Sequence, residues 1–263
     1  MESKKIDAGR TKNRNIMRIV FLTTSTFSDI QETQSECISK LFPDSEHIKI
    51  DGRSGWFIIW YEWLNISYKY LADWYVHIDE DCFITSKEEI ENLIQYMIEN
   101  NLDIAGPPDG HFEYRSGNHM AFNSFFMIMN RRCIDAWFNK KSIPQFKKEW
   151  IEEYPYQKKN HSHYEYNMEF GSSGKPLNMI WKPETEPYYD FMWVLKDAGI
   201  KFYYLEPVFD KEFQTTNLLN GTIIHMWHQR ERWEDRIISP LHKISNKIRF
   251  DNVIKKIKQI LKK

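Results

Sequence analysis

The feature that most constrains this chain is the order of patterns along its first hundred residues. An apolar run at residues 17–22 reads as a strand. Residues 28–42 read as a helix, opened by a capping pair of Ser28 and Gln31 and carrying Ile30, Cys37, Ile38 and Leu41 at helical spacing. A short strand at 47–50, a turn at 52–55, a heavily apolar helix at 56–71 and a strand at 74–78 follow. Residues 86–100 form the clearest helix. Ser86 is its cap, Glu89 the box partner, and Ile90, Leu93, Ile94, Met97 and Ile98 share one face. A strand at 102–105 ends on Gly106-Pro107-Pro108. Strands alternating with helices predict an α/β fold with a mostly parallel central sheet flanked by helices. Such sheets bind ligands beyond the carboxyl ends of their strands. The residues to inspect are therefore Thr23-Thr24-Ser25, Asp51-Gly52-Arg53 and Asp79-Glu80-Asp81.

The second half is less regular. Residues 124–129 read as a strand and 131–138 as a short helix. The polar, Lys-, Tyr- and His-rich stretch 145–176 reads as an insertion or lid. Pro187 suits a first helical position, and that helix is expected to stop at Gly199. Strands are expected at 201–205 and 222–227, and a basic amphipathic helix from Ser239 onward.

The length of 263 residues suits one domain with tails. The expected division is a flexible terminus at 1–15, a catalytic domain at 16–238 and a C-terminal helix at 239–263. With a net charge of -1, no nucleic-acid partner is expected. Cys37, Cys82 and Cys133 fit no zinc spacing, and a reducing, cytoplasmic setting is the simplest reading. The first fifteen residues lack the apolar core of a signal peptide, and 56–71 is too short and polar to span a bilayer. In the last helix, lysines surround Ile244, Ile248, Val253, Ile254, Ile257 and Leu261, a pattern that suits either a helix docked on the domain with a solvated basic face or peripheral contact with an anionic membrane.

Chemistry concentrates at Tyr75-Val76-His77-Ile78-Asp79-Glu80-Asp81, where an apolar strand runs into three acids. In an extended chain, residues i and i+2 face one side, so Asp79 and Asp81 are expected to meet at one point. Paired carboxylates favour a cation between them, and hard oxygen ligands favour Mn2+ or Mg2+.

In these and two other stretches, the chain resembles glycosyltransferases of the GT-A fold. The likeness rests on the first strand ending in Thr23-Thr24-Ser25, on the run from Ala72 to Asp81, which looks like the family's Asp-x-Asp segment, and on Glu186-Pro187-Tyr188-Tyr189-Asp190 opening a helix. The resemblance implies a nucleotide-sugar donor, a UDP-sugar foremost, held through the metal at Asp79 and Asp81. A late histidine would complete the site; His225 is favoured, and His228 would meet the diphosphate. Thr23, Thr24, Asp51, Arg53, Trp56 and Glu80 would surround the donor. Arg115 and Glu186 would meet a saccharide or lipid-linked saccharide acceptor, and Asp190 would be the base of an inverting transfer, with Glu186 in reserve. The alternatives are a retaining enzyme, a nucleotidyltransferase, or a module that binds nucleotide without turnover. Thr23-Thr24-Ser25-Thr26-Phe27 lacks the glycine and lysine expected of a nucleotidyltransferase loop.

Overall fold

The computed structural model of the chain describes residues 17–26, 28–54, 56–109, 120–145, 147, 150, 187–210, 212–213, 215–226 and 240–262. Its strands are β1 (Ile19–Ser25), β2 (Glu46–Asp51), β3 (Trp74–Asp79), β4 (Cys82–Ile84), β5 (Ile104–Gly106), β6 (Phe126–Asn130), β7 (Phe202–Tyr204), β8 (Val208–Asp210), β9 (Thr215–Leu218) and β10 (Ile223–Met226). Its helices are α1 (Ser28–Leu41), α2 (Trp56–Lys69), α3 (Lys87–Glu99), α4 (Arg131–Asn139), α5 (Pro187–Asp197) and α6 (Pro240–Ile260).

Six strands form the central sheet in the order β2-β1-β3-β6-β5-β7. Only β6 runs against the others, so the sheet is mixed and mostly parallel. This is the α/β frame the alternating pattern predicts. The sheet is covered on both faces, which is why its strands read as continuous apolar runs rather than alternating ones. On one face Val20, Leu22, Tyr75, Met127 and Met129 pack with Trp60 and Trp63 of α2, Ile134 of α4 and Phe191 of α5. On the other, Phe21, Val76, Ile78 and Ile128 pack with Ile38 of α1 and Ile90, Ile94 and Met97 of α3. Both predicted helix ends are seen. Ser86 caps α3, its Oγ accepting from the Glu89 N–H at 3.3 Å. Gly199 ends α5 at φ 72°, where its N–H bonds Lys196 O and Ile200 N–H bonds Leu195 O.

Two features depart from the expectation. The strand at β6 inserts antiparallel between β3 and β5, a direction that an apolar run does not encode. A second, antiparallel sheet, β4-β10-β9-β8, stands beside the first. Of its strands only β10 falls on an expected run; β4, β8 and β9 have three or four residues each, too short for a period to register.

The last helix decides between two expected readings. Phe250, Val253, Ile254 and Ile257 of α6 are buried against Ile30 and Cys37 of α1 and Phe83, Ile224 and Met226 of the small sheet. This part of the apolar face is therefore spent inside the protein, as in a docked helix, while Ile248 stays exposed and Lys255, Lys256, Lys258 and Lys262 line the solvent side. No helix among the described residues is long and apolar enough to cross a membrane. Burying one such side chain stabilises by about 1.5–3 kcal/mol, and a domain's net stability is about 5–15 kcal/mol. Deleting residues from Ser239 onward is expected to give an aggregating or unfolded chain, read by soluble yield and circular dichroism. A soluble truncated chain of unchanged melting temperature contradicts this packing account.

His77 carries a pH prediction. It is buried edge-on to Trp60 and Trp63, with ring centroids 5.9 and 5.2 Å away. Burial pulls its pKa down from 6.5 to about 4, partly opposed by a hydrogen bond with the Ser124 backbone. The unfolded chain thus binds a proton between those pH values that the folded chain refuses. Stability falls as pH drops from 6.5 toward 4, by about 3 kcal/mol at about 1.4 kcal/mol per pH unit. Urea unfolding across this window should show a shallower fall in His77→Phe than in the wild type; parallel curves would remove the histidine from the account.

Candidate functional site

The carboxyl ends of β1, β2, β3 and β5 lie along one edge of the sheet, because these four strands share a direction. Asp79 ends β3 there, with its N–H on Phe125 O at 2.9 Å. The backbone then turns at Glu80 and Asp81 and resumes as β4 in the second sheet. This corrects the premise of the i, i+2 argument: Asp81 is not in an extended strand, so pleat geometry does not set its direction.

The second sheet supplies the partner instead. β10 pairs antiparallel with β4, placing His225 opposite Cys82. The Met226 N–H bonds Asp81 O at 3.0 Å, and His225 Nε2 lies 3.4 Å from Asp81 Oδ1. The His225 ring is 4% exposed and stacks flat on Phe125, 4.1 Å between centroids and 2° between planes. Its orientation is thus set by packing. An imidazole beside a carboxylate, with a second carboxylate two residues earlier, is a donor set that Mn2+ accepts. No three His, Cys, Asp or Glu side chains converge into one group among the described residues, so Asp79 stands outside the Asp81–His225 pair.

The acidic turn is gripped from two sides. Glu80, 5% exposed, accepts hydrogen bonds from Ser25 Oγ at 2.5 Å, Thr26 N at 2.8 Å and Thr26 Oγ1 at 3.0 Å. This middle acid, expected at the donor, uses both its oxygens to bind the chain just after β1. On the other side, Gln34 of α1 reaches the backbone of the turn.

The sites expected around a donor divide. Thr23 is wholly buried, its hydroxyl bonded to Gln34 Oε1 at 2.8 Å and lying 2.9 Å from His47 Nε2. It is part of the interior, a correction to its expected contact with a ligand. Thr24 pairs with Asp79 across β1 and β3, and its hydroxyl oxygen is buried without a hydrogen-bond partner. Asp51 and Arg53 do reach open space. With Ser25, Thr26, Gln31, Lys49 and Ile50 they line a cleft of about 430 Å³ at the ends of β1 and β2. Arg53 grips Asp51 through Nε at 2.8 Å and Nη2 at 2.5 Å, and these bonds hold the Asp51 carboxyl down to about 2. The cleft therefore offers a carboxylate that stays charged at any ordinary pH, beside two cations. Gly52 is required there, since a Cβ would come within 2.9 Å of Thr26 Cγ2 and 3.0 Å of Ser25 O. Trp56 opens α2, but its side chain lies outside the described residues, as do Arg115, Glu186 and His228.

Asp190 sits half-buried in the first turn of α5. Its neighbours Tyr188 and Tyr189 are core residues at 1% and 2% exposure. Tyr188 packs on Trp60 at 5.8 Å. Tyr189 OH donates to Asp109 Oδ2 at 2.5 Å, and Asn123 Nδ2 donates to Asp109 Oδ1 at 2.6 Å. Asp109 follows β5, so this bond ties the start of α5 to the same sheet edge as Asp79. The two strands are separated by β6 alone, about 10 Å at ordinary strand spacing. Sequence reading missed Asp109 and Gln34. The Gly106-Pro107-Pro108-Asp109 strand ending was a usable signal for the first; Gln34 had none.

No protein-family model matches the chain, and no curated protein matches it. Solved structures are similar at low identity. A protein from STIV is 13% identical, with 80% of this chain and 94% of that chain covered, at a TM-score of 0.41. Mouse xyloside xylosyltransferase 1, in its apo form, is 10% identical, with 72% and 85% covered and a TM-score of 0.37. A mannosyltransferase from Pyrobaculum calidifontis, in complex with GDP-Man and Mn2+, is 9% identical, with 48% and 47% covered, at a TM-score of 0.35. At these scores the likenesses carry no argument about what this chain does, which rests on its own residues.

Proposed function

We propose that this chain is a metal-dependent glycosyltransferase of the GT-A type, moving a sugar from a nucleotide-diphosphate donor to the hydroxyl of a saccharide or lipid-linked saccharide, with inversion. The observation that carries the reading is the meeting of Asp81, in the turn that follows Asp79, with His225 of β10, while that turn is tied through Glu80 to Ser25 and Thr26 of the Asp51–Arg53 cleft. Asp81 and His225 would hold a divalent ion, Mn2+ or Mg2+, and Asp79, outside that pair here, would have to turn toward the ion to join them. When bound, that ion would neutralise the charge of a departing diphosphate. Asp51 would accept from ribose or base hydroxyl and N–H groups, while Arg53 and Lys49 offer positive charge to the donor. Asp190, in the turn of α5 that Tyr189 ties to Asp109 after β5, would take the proton of the attacking hydroxyl. The catalytic unit is placed at residues 16–238, with the helix of 239–263 as a brace against α1 and the small sheet.

The test is a panel of nucleotide-sugars, UDP-sugars first, incubated with the protein and Mn2+. Slow release of nucleoside diphosphate and free sugar from one member, stopped by a chelator, is the expected result. Pyrophosphate release from a nucleoside triphosphate and a sugar phosphate would replace this reading with a nucleotidyltransferase. Diphosphate binding with no turnover of any donor would replace it with a binding module.

A further inference from the structure

We propose that Gln34, resting on the reading of Asp79-Glu80-Asp81 as a metal-binding turn, is a positioning residue that sets this turn from inside the protein. The hydrogen-bond chemistry of its surroundings admits one arrangement. Gln34 is wholly buried in α1. Its side chain meets three polar atoms and one further group behind them. Asp79 O and, at 2.8 Å, Cys82 O are carbonyl oxygens, which only accept. The two hydrogens of the Gln34 amide must therefore both point at the turn. Its Oε1 is left as an acceptor, and Thr23 Oγ1 gives its single hydrogen there at 2.8 Å. His47 Nε2, 2.9 Å from the same hydroxyl, must then donate its own hydrogen. A directed chain runs from His47 on β2 through Thr23 on β1 and Gln34 on α1 to both ends of the turn. All four side-chain sites of the amide are matched except the second lone pair of its oxygen, so rotating it would strand several buried groups.

What the amide spans matters. Asp79 and Cys82 bracket Glu80 and Asp81. One amide bridging their carbonyls fixes the width of the turn, while Glu80 fixes its tilt by binding Ser25 and Thr26. Asp81 then has one approach to His225, whose ring is already held by Phe125. No other residue type fills this role: glutamate would oppose an oxygen to two carbonyl oxygens, and an apolar side chain would leave both carbonyls without their donor.

The test uses full-length Gln34→Met, near in size and without polar groups, with Thr23→Val as comparator. Thr23→Val cuts the same chain upstream but leaves both amide hydrogens on the turn. Two quantities are read well below each melting temperature: amide hydrogen exchange of residues 79–84, and Mn2+ affinity by electron paramagnetic resonance. The expected result for Gln34→Met is exchange at least about tenfold faster in that segment, unchanged exchange in α3, and Mn2+ affinity weaker by about tenfold or more, the scale of removing a group that orients a metal ligand. Thr23→Val should keep Mn2+ affinity within about twofold. Unchanged exchange in Gln34→Met overturns the proposal. Faster exchange with unchanged Mn2+ affinity also overturns it and leaves Gln34 a packing residue. If the wild type binds no Mn2+, the metal reading fails, and the exchange result alone decides whether Gln34 sets the turn. Should Gln34→Met not fold, Gln34→Asn, one methylene too short to span both carbonyls, replaces it with the same expected readings.

Discussion

Asp190→Asn should lower transfer to an acceptor by about a hundredfold or more while leaving nucleoside diphosphate affinity within about twofold. The substitution preserves shape and hydrogen bonding but removes the ability to take a proton, and losing a general base costs about 10²–10⁴ in rate. Binding should survive because Asp190 belongs to α5 and not to the acidic turn between β3 and β4. Stability should move by less than about 1 kcal/mol, since the structural alternative is an acid near a helix start, worth about 0.3–1 kcal/mol. The core contacts of that turn belong to Tyr188 and Tyr189, which the substitution leaves alone. Steady-state kinetics with donor and acceptor, set beside Glu186→Gln, separates the outcomes. Loss only in Glu186→Gln swaps the two roles. Full activity in both means that neither is the base: a product of retained anomeric configuration then gives a retaining mechanism, and an inverted one a different acid.

The second large effect is at the acidic turn. Asp79→Asn and Asp81→Asn should each slow Mn2+-dependent hydrolysis of the nucleotide-sugar by about a hundredfold or more. Metal stabilisation of a leaving group supplies several kcal/mol, and 1.4 kcal/mol is a factor of ten. His225→Gln should lose less, because one neutral ligand is replaced by another group able to coordinate through oxygen. Glu80→Gln should behave differently from its neighbours. Its carboxylate binds Ser25 and Thr26 rather than facing open space, so the variant should lose melting temperature and keep most of its rate. Initial rates and thermal melts of the four variants test this ordering. Equal losses at Glu80 and Asp81 would contradict the assignment of one to structure and the other to the site.

The frame was legible because its signals are local. The face of α3, the Ser86 cap and the Gly199 stop are each written within a few residues, and each stands in the structure. The strand-like pattern at 222–227 set His225 apart from His228, and β10 does run through His225. What could not be read was long-range. His225 reaches Asp81 only because β10 pairs with β4, a strand from far earlier in the chain and too short to announce itself. Glu80 looked like its neighbours because charge alone does not say which acid faces inward. Gln34 sits on α1 between Glu32 and Glu36, as any exposed helix residue might in sequence, and only the fold turns it toward the turn it holds. The choice between a docked and a membrane-lying α6 was illegible for the same reason. An amphipathic helix shows that an apolar face exists, while what covers that face is decided by tertiary packing.

The central claim is that a divalent ion at Asp79 and Asp81 is what binds the donor diphosphate, and calorimetric titration tests it most directly. UDP, or the diphosphate of whichever donor the panel identifies, is titrated into the full-length protein with Mn2+ and again with excess chelator. The account predicts binding with Mn2+ that weakens at least about tenfold in chelator, and the same weak binding for Asp79→Ala in either condition. Equal affinity with Mn2+ and with chelator, or an Asp79→Ala variant that binds as the wild type does, would contradict it.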